Sequence, residues 1–521
     1  MTAPASGPLD RSSFADPSAR WLAAGLLVGA ELAAGGADSP LGLGTAVGTC
    51  LVLLTFDKRN PVSLRNFFVV YTVALFCIGV PLFHLQPALY ADMVLFVVVF
   101  LSGYALSALR REHHPEEAAG TTVWVGHTKH RIHVVEQLML FVACLQVLLL
   151  AVNISRYGIG GFYRGLGLID QLSTYGKASV SGGVIQIATF LLKYSTLAVA
   201  IVYVQICLQA RVKIRYRFLL LLLVVLPILS LSRSDALHGA GLLVVVNATA
   251  RRIGGGSAAA AAAGSPGATD GSDGFDGSGP GLPRRPRLAP KRRLSMGITM
   301  VVAIVAGLAI GSLRQNAIAP PTTTSPVARS VPLLTSEISP IQAYSEIKAN
   351  RARLKRQHGR TIVLPIVFKV IPRGLFPNKP INTGAYFMSV VRPAEFAAGF
   401  ALPPTLFGDA YVNFGMGGAV LACLLVGLVA ARLDVSYKQG RLSRLPWFLI
   451  VYANFYALVR SPLSETLAGI LLTAAAWAVL SRVLGTRTPK DSPAPATLQQ
   501  PGLPRPDLPR PGLQATSPGR P

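Results

Sequence analysis

The chain has 521 residues, 51% of them hydrophobic and only 14% charged, with a mean hydropathy of +0.48 and a formal net charge of +26. A soluble domain usually carries about 25% charged residues, so a soluble fold is excluded, and several apolar runs reach the ~20 residues that cross a bilayer core. The excess of cations does not indicate nucleic acid: it gathers in loops between apolar runs and in the tails, without zinc-finger spacing or an RNA-binding signature, where it reads as topology signal and attraction to anionic lipid heads.

Residues 1–19 are polar and lack the charged start and apolar core of a cleaved leader. They are expected to form a disordered cytoplasmic tail. Residues 20–250 carry eight apolar runs, near 21–37, 40–56, 66–86, 89–109, 133–153, 183–208, 216–232 and 235–250. The last two are separated only by Ser232, Arg233, Ser234 and Asp235, which predicts a tight hairpin. Segment 251–294 is basic and low-complexity and reads as a flexible cytoplasmic linker. Four more runs follow in 295–484, near 295–313, 411–432, 446–460 and 464–484, with a long loop at 314–410. Residues 485–521 form a Pro-rich tail, expected to be disordered and cytoplasmic. The fold class is therefore all-α: a polytopic membrane protein of about twelve spans with one long extracytoplasmic loop late in the chain. The five cysteines all lie in apolar runs and form no CxxC pair, so neither a disulfide framework nor a metal site is expected.

Basic residues set the orientation. Lys58 and Arg65, Arg110 and Arg131, Arg211 and Arg217, Arg251 and Arg293, Lys438 and Arg444, and Arg482 and Lys490 all follow even-numbered runs. They fall on one side, which places both termini in the cytoplasm. The loop 314–410 breaks the pattern, with Arg351, Arg353, Lys355, Arg356 and Arg360 among its many cations and few acids such as Glu337, Glu346 and Glu395. Long loops escape the positive-inside bias, and a functional demand for cations outside is a second cause. Within the loop, 337–360 has helical spacing. Ile338, Ile341 and Ile347 share one face, which fits a basic helix on the membrane surface or a helix packed on its neighbours.

Several residues could do chemistry at the outer face. Arg156 and Arg164 follow a span, Arg233 lies in the hairpin, Arg373 and Lys379 lie in IPRGLFPNKP, and Arg460 ends a span. Guanidinium forks match phosphate oxygens, although each alone also reads as an interfacial snorkelling residue. Asp235, His238, Glu337 and Asp409 are the candidate general bases, with Glu395 and Glu465 also outside or at a boundary, while Asp235 and Asp409 also suit helix N-caps. Tyr411 and Asn413 stand at the membrane boundary, where they could touch a sugar. The glycines Gly415, Gly417, Gly418 and Gly427 also suit close helix packing.

SRSDALHG at 232–239, IPRGLFPNKP at 371–380 and LPPTLFGDAYVNFGMGG at 402–418, with many spans before a late outer loop, resemble the Wzy-type oligosaccharide repeat unit polymerases of bacterial polysaccharide assembly. The likeness covers roughly 20–484. The linker at 251–294 looks like an insertion, and Asp409 stands where the family more often has glutamate. The resemblance implies a metal-independent, cofactor-free glycosyltransferase in the cytoplasmic membrane of a bacterium. It would join polyprenyl-diphosphate-linked oligosaccharides on the outer face, with a flippase and a chain-length regulator as partners. Its arginines would bind diphosphate, and an acid or histidine would assist the attacking hydroxyl. An O-antigen-ligase-like transferase shares this logic. A lipid or polysaccharide transporter is a further alternative, though the chain shows no matching halves.

Overall fold

A computed structural model describes residues 40–57, 60, 62–112, 128–163, 180–210, 212–229, 239–251, 339–369, 371, 376, 378–397, 402–438 and 443–485. They form fourteen helices and no strand. The first seven are α1 (Pro40–Thr55), α2 (Leu64–Leu82), α3 (Leu89–Glu112), α4 (Thr128–Tyr163), α5 (Val180–Gln209), α6 (216–229) and α7 (Gly239–Arg251). After the linker come α8 (339–349), α9 (Arg360–Val367), α10 (Thr383–Val391), α11 (Pro393–Ala397), α12 (Thr405–Lys438), α13 (Leu445–Arg460) and α14 (Leu463–Val483).

Six segments are long and apolar enough to cross a membrane, and four shorter apolar helices accompany them. This is the architecture of an α-helical membrane protein. Ten of the expected runs coincide with helices, whereas 21–37 and 295–313 lie outside the described residues. The run expected at 216–232 is interrupted by a π-turn at Leu221–Val225. The one expected at 133–153 extends to Tyr163 across a break at Gly158.

Helix α12 is the axis of the bundle. Its start and the start of α3 share an aromatic core, in which Phe96 stacks on Phe407 with ring centres 4.4 Å apart. Phe68, Phe76 and Tyr344 close around Phe407. Further along, two glycines let α3 and α12 touch backbone to backbone. A Cβ on Gly427 would lie 2.2 Å from the Phe100 carbonyl, and one on Gly103 would lie 2.4 Å from that of Leu424. Small residues at such crossings replace the hydrophobic driving force that lipid does not supply. On the far side, α14 packs on α5, where Gly469 makes room for Tyr194 and Trp477 Nε1 donates to Gln205 Oε1 at 3.0 Å.

The bundle has two chemically distinct ends. At one, Lys438 pairs with Asp57 at 2.9 Å and Arg215 with Glu136 at 3.1 Å. Arg131 Nη1 donates to the Gly485 carbonyl at the same end. The other end carries α8 to α11, the starts of α3, α12 and α14, and the end of α13. Its ties include Lys348 to Asp92 at 2.6 Å and Leu463 N to Asp409 Oδ2 at 2.6 Å.

The helix expected over 337–360 is shorter. Helix α8 ends at residue 349, and a turn runs to Gly359. Ile341, Ala343, Tyr344 and Ile347 are fully buried, so α8 is packed on its neighbours and does not lie on a surface. Glu337 and Ile338 lie outside the described residues.

Candidate functional site

The site begins with a break in α12. Gly415 has φ +75 and ψ −167, a conformation open essentially only to glycine. A break of this kind interrupts the hydrogen-bond ladder and leaves carbonyls in need of donors. The turn after α8 supplies them. Gln357 N donates to the Val412 carbonyl at 3.3 Å, and His358 N to that of Asn413 at 3.1 Å. Gly359, at φ +84, points its N–H at Asn413 Oδ1, 2.9 Å away. Three successive backbone donors thus fasten residues 357–359 onto the break, which is why α8 cannot continue through them.

Beneath this seam lies a fully buried polar network. Asp409 Oδ1 accepts from Thr383 Oγ1 and, at 3.0 Å, from Asn413 Nδ2. Asp409 Oδ2 accepts from Leu463 N, the first residue of α14. Thr361 Oγ1 lies 3.0 Å from Asn413 Oδ1 and 2.8 Å from Thr383 Oγ1. Asp409 therefore does cap a helix, but the helix is α14, whose preceding residue Pro462 offers no side-chain cap. A carboxylate at a helix N-terminus is favourable for both the orphan N–H groups and the dipole. With both oxygens engaged and no exposed surface, Asp409 ties α10, α12 and α14 together, and Thr361 joins α9 to them through Asn413 and Thr383.

Above the seam is a cationic turn. Arg351, Arg353, Lys355, Arg356 and Arg360 are all exposed, and residues 350–360 contain no acid. None of the five has a carboxylate within salt-bridge distance among the described residues. The turn is nonetheless rigidly seated. Leu354 packs into the apolar cluster of Ile347, Phe387 and Tyr411, the Lys355 amide donates to Tyr386 Oη at 3.1 Å, and Arg353 donates to the Val390 carbonyl. The Arg356 guanidinium lies over the break, with Nη2 3.5 Å from where a Gly415 Cβ would stand. Lys348 and Arg392, at the same end, are paired with carboxylates. Arg392 is held by Glu346 and Glu395, and those hydrogen bonds push its pKa above the ordinary arginine value. Tyr344 donates to Asp92, and burial, reinforced by that carboxylate, pushes its hydroxyl well above the usual tyrosine range.

Of the residues singled out from sequence, Asp409, Asn413, Tyr411, Lys379 and Arg460 come to this end. Lys379 is turned inward, its Nζ donating to the carbonyls of Lys369 and Ile371 at 3.2 and 2.9 Å. Arg460 closes α13 with its guanidinium 5.7 Å from the Tyr456 ring centre. Tyr411 is nearly buried, edge-on to Tyr344. Asn413 holds the turn from within. Arg156 lies on α4 two residues before the Gly158 break, and its side chain is outside the described residues. Arg164, Arg233, Asp235, His238, Glu337 and Arg373 are outside them altogether. Sequence reasoning missed the turn itself as a unit, although five cations without an acid between Asn350 and Arg360 was a readable signal. It also missed Asp434, which accepts from the Leu64 and Arg65 amides and from Tyr104 Oη at the opposite end of α12.

No protein-family model, curated protein or solved structure matches the chain.

Proposed function

We propose that the protein is a membrane glycosyltransferase that polymerises polyprenyl-diphosphate-linked oligosaccharides on the outer face of a bacterial cytoplasmic membrane. The observation that carries this reading is the cationic turn, in which five exposed Lys and Arg residues, without a carboxylate partner among the described residues, are seated on the break of α12. Exposed cations held in place are a device for a multiply charged anion, and arginine forks match phosphate oxygens. The turn lies at the end away from Lys438, Arg215 and Arg131. If those residues mark the cytoplasmic side, the turn faces outward, where lipid-linked glycans are assembled. The resemblance of 371–380 and 402–418 to repeat unit polymerases supports the same chemistry, because Lys379 and 402–418 border this end.

In this reading the turn and Arg460 grip the diphosphate of the donor and stabilise charge as it leaves. Asp409 acts as a positioning residue, since its oxygens already serve Thr383, Asn413 and Leu463.

The test is binding by the purified full chain in nanodiscs. Polyprenyl diphosphate should bind at least tenfold more tightly than the matching monophosphate, and Arg356→Ala with Arg360→Ala should abolish the difference. Equal affinity for the two lipids would contradict the proposal.

A further inference from the structure

The carboxylates at the α8–α11 end differ sharply in what remains open to a ligand. Asp92 meets Tyr344 and Lys348 through Oδ2 alone, but its side chain is only 9% exposed and so closed to a ligand. Glu346 and Glu395 are taken up by Arg392. Asp409 is buried with both oxygens bonded. Glu465, in the first turn of α14, is unlike the rest. Its side chain is 41% exposed. Oε1 accepts from Asn382 Nδ2 at 2.9 Å and lies 3.8 Å from Lys369 Nζ. Oε2 has no partner among the described residues.

The holders of Glu465 are themselves fixed. Asn382 caps α10 through its other side-chain atom, Oδ1, which accepts from Ala385 N at 2.9 Å. Lys369 Nζ sits 4.8 Å from the Phe190 ring centre. Arg460 stands five residues before Glu465, across the Ser461–Pro462 turn. The result is a carboxylate anchored by one oxygen, open at the other among the described residues, and accompanied by one cation, Lys369. That is the geometry a general base requires: a fixed group with one lone pair free to meet a hydroxyl.

We propose that Glu465 is the catalytic base of the transfer, an assignment that rests on the polymerase reading above. Oε2 takes the proton of the acceptor sugar hydroxyl as that oxygen bonds to the anomeric carbon of the donor. The carbon–oxygen bond to the diphosphate breaks, and its electron pair leaves with the diphosphate. Lys369, 3.8 Å from Glu465 Oε1, faces the negative charge that this group gains. The proton then passes from Glu465 to water, which its exposure allows.

Glu465→Gln tests this, because glutamine keeps an oxygen for Asn382 while losing the base. In nanodiscs with a polyprenyl-diphosphate oligosaccharide, the variant should transfer about 10²–10⁴-fold more slowly than wild type. It should unfold at the same temperature and bind polyprenyl diphosphate within twofold of wild type. Glu465→Asp, an acid on a shorter arm, should retain measurable transfer. A glutamine variant with wild-type rate, or an aspartate variant as inactive as the glutamine one, would overturn the assignment. So would a glutamine variant that loses binding along with rate. Wild-type protein that binds the lipid but never transfers would instead remove the polymerase reading on which the assignment rests.

Discussion

A carboxylate inside an apolar bundle is costly unless donors surround it, and Asp409 and Asp434 show the same solution at opposite ends of α12. Each closes the N-terminus of another helix, Asp409 that of α14 and Asp434 that of α2. Asp409 is also tied through Asn413 to the amide of Gly359, and so to the cationic turn. Removing either carboxylate orphans two or three buried donors. Asp409→Ala and Asp434→Ala should therefore each destabilise the protein by about 2–4 kcal/mol, read as a lower unfolding temperature in detergent. Only Asp409→Ala should also weaken polyprenyl diphosphate binding, because only it loosens the turn. Asp409 attracts attention in the sequence because it precedes an Asn-Phe-Gly stretch. Asp434 does not, because ARLDVSYK reads as an ordinary charged helix end. The donors that explain both residues come from segments distant in the chain, which local spacing does not reveal.

At the scale of elements, apolar runs translate into helices with little loss, since in lipid the backbone must satisfy itself within the segment. The departures occur where another segment claims backbone groups. The helix expected over 337–360 stops at residue 349 because the amides of 357–359 belong to α12. The break of α12 at Gly415 was equally hidden, because four glycines in one run suggest close packing at each of them. Only Gly427 meets a neighbouring helix backbone, whereas Gly415 supplies a backbone conformation and Gly417 faces open space. This separates two chemically identical substitutions only two residues apart in sequence. Gly415→Ala should cost about 1–3 kcal/mol and expose the 350–360 turn to protease. Gly417→Ala should be neutral or should stabilise by up to about 1 kcal/mol. Both effects are readable from thermal unfolding and limited proteolysis of the purified protein.

Across the whole molecule, the distribution of basic residues was the most legible feature. Among the described residues, the cations expected on one side, such as Arg131, Arg215 and Lys438, do gather at one end of the bundle. The described residues of 339–397 lie at the other. What could not be read is the division of labour among the cations at that end. Lys379, Lys348 and Arg392 are consumed in holding the fold, and the turn at 351–360 keeps its charges outward. That distinction depends on which carboxylates and carbonyls the fold brings within reach. If this charge serves a diphosphate-linked glycan, the purified protein should polymerise one unaided. Purified full chain is incubated with a polyprenyl-diphosphate oligosaccharide, without added ATP or metal, and the glycans are resolved by length. The account predicts a ladder of products spaced by one repeat unit, with release of free polyprenyl diphosphate, and loss of the ladder in the Arg356→Ala, Arg360→Ala double variant. Products that never exceed the length of the input, or a double variant that polymerises as wild type does, would contradict it.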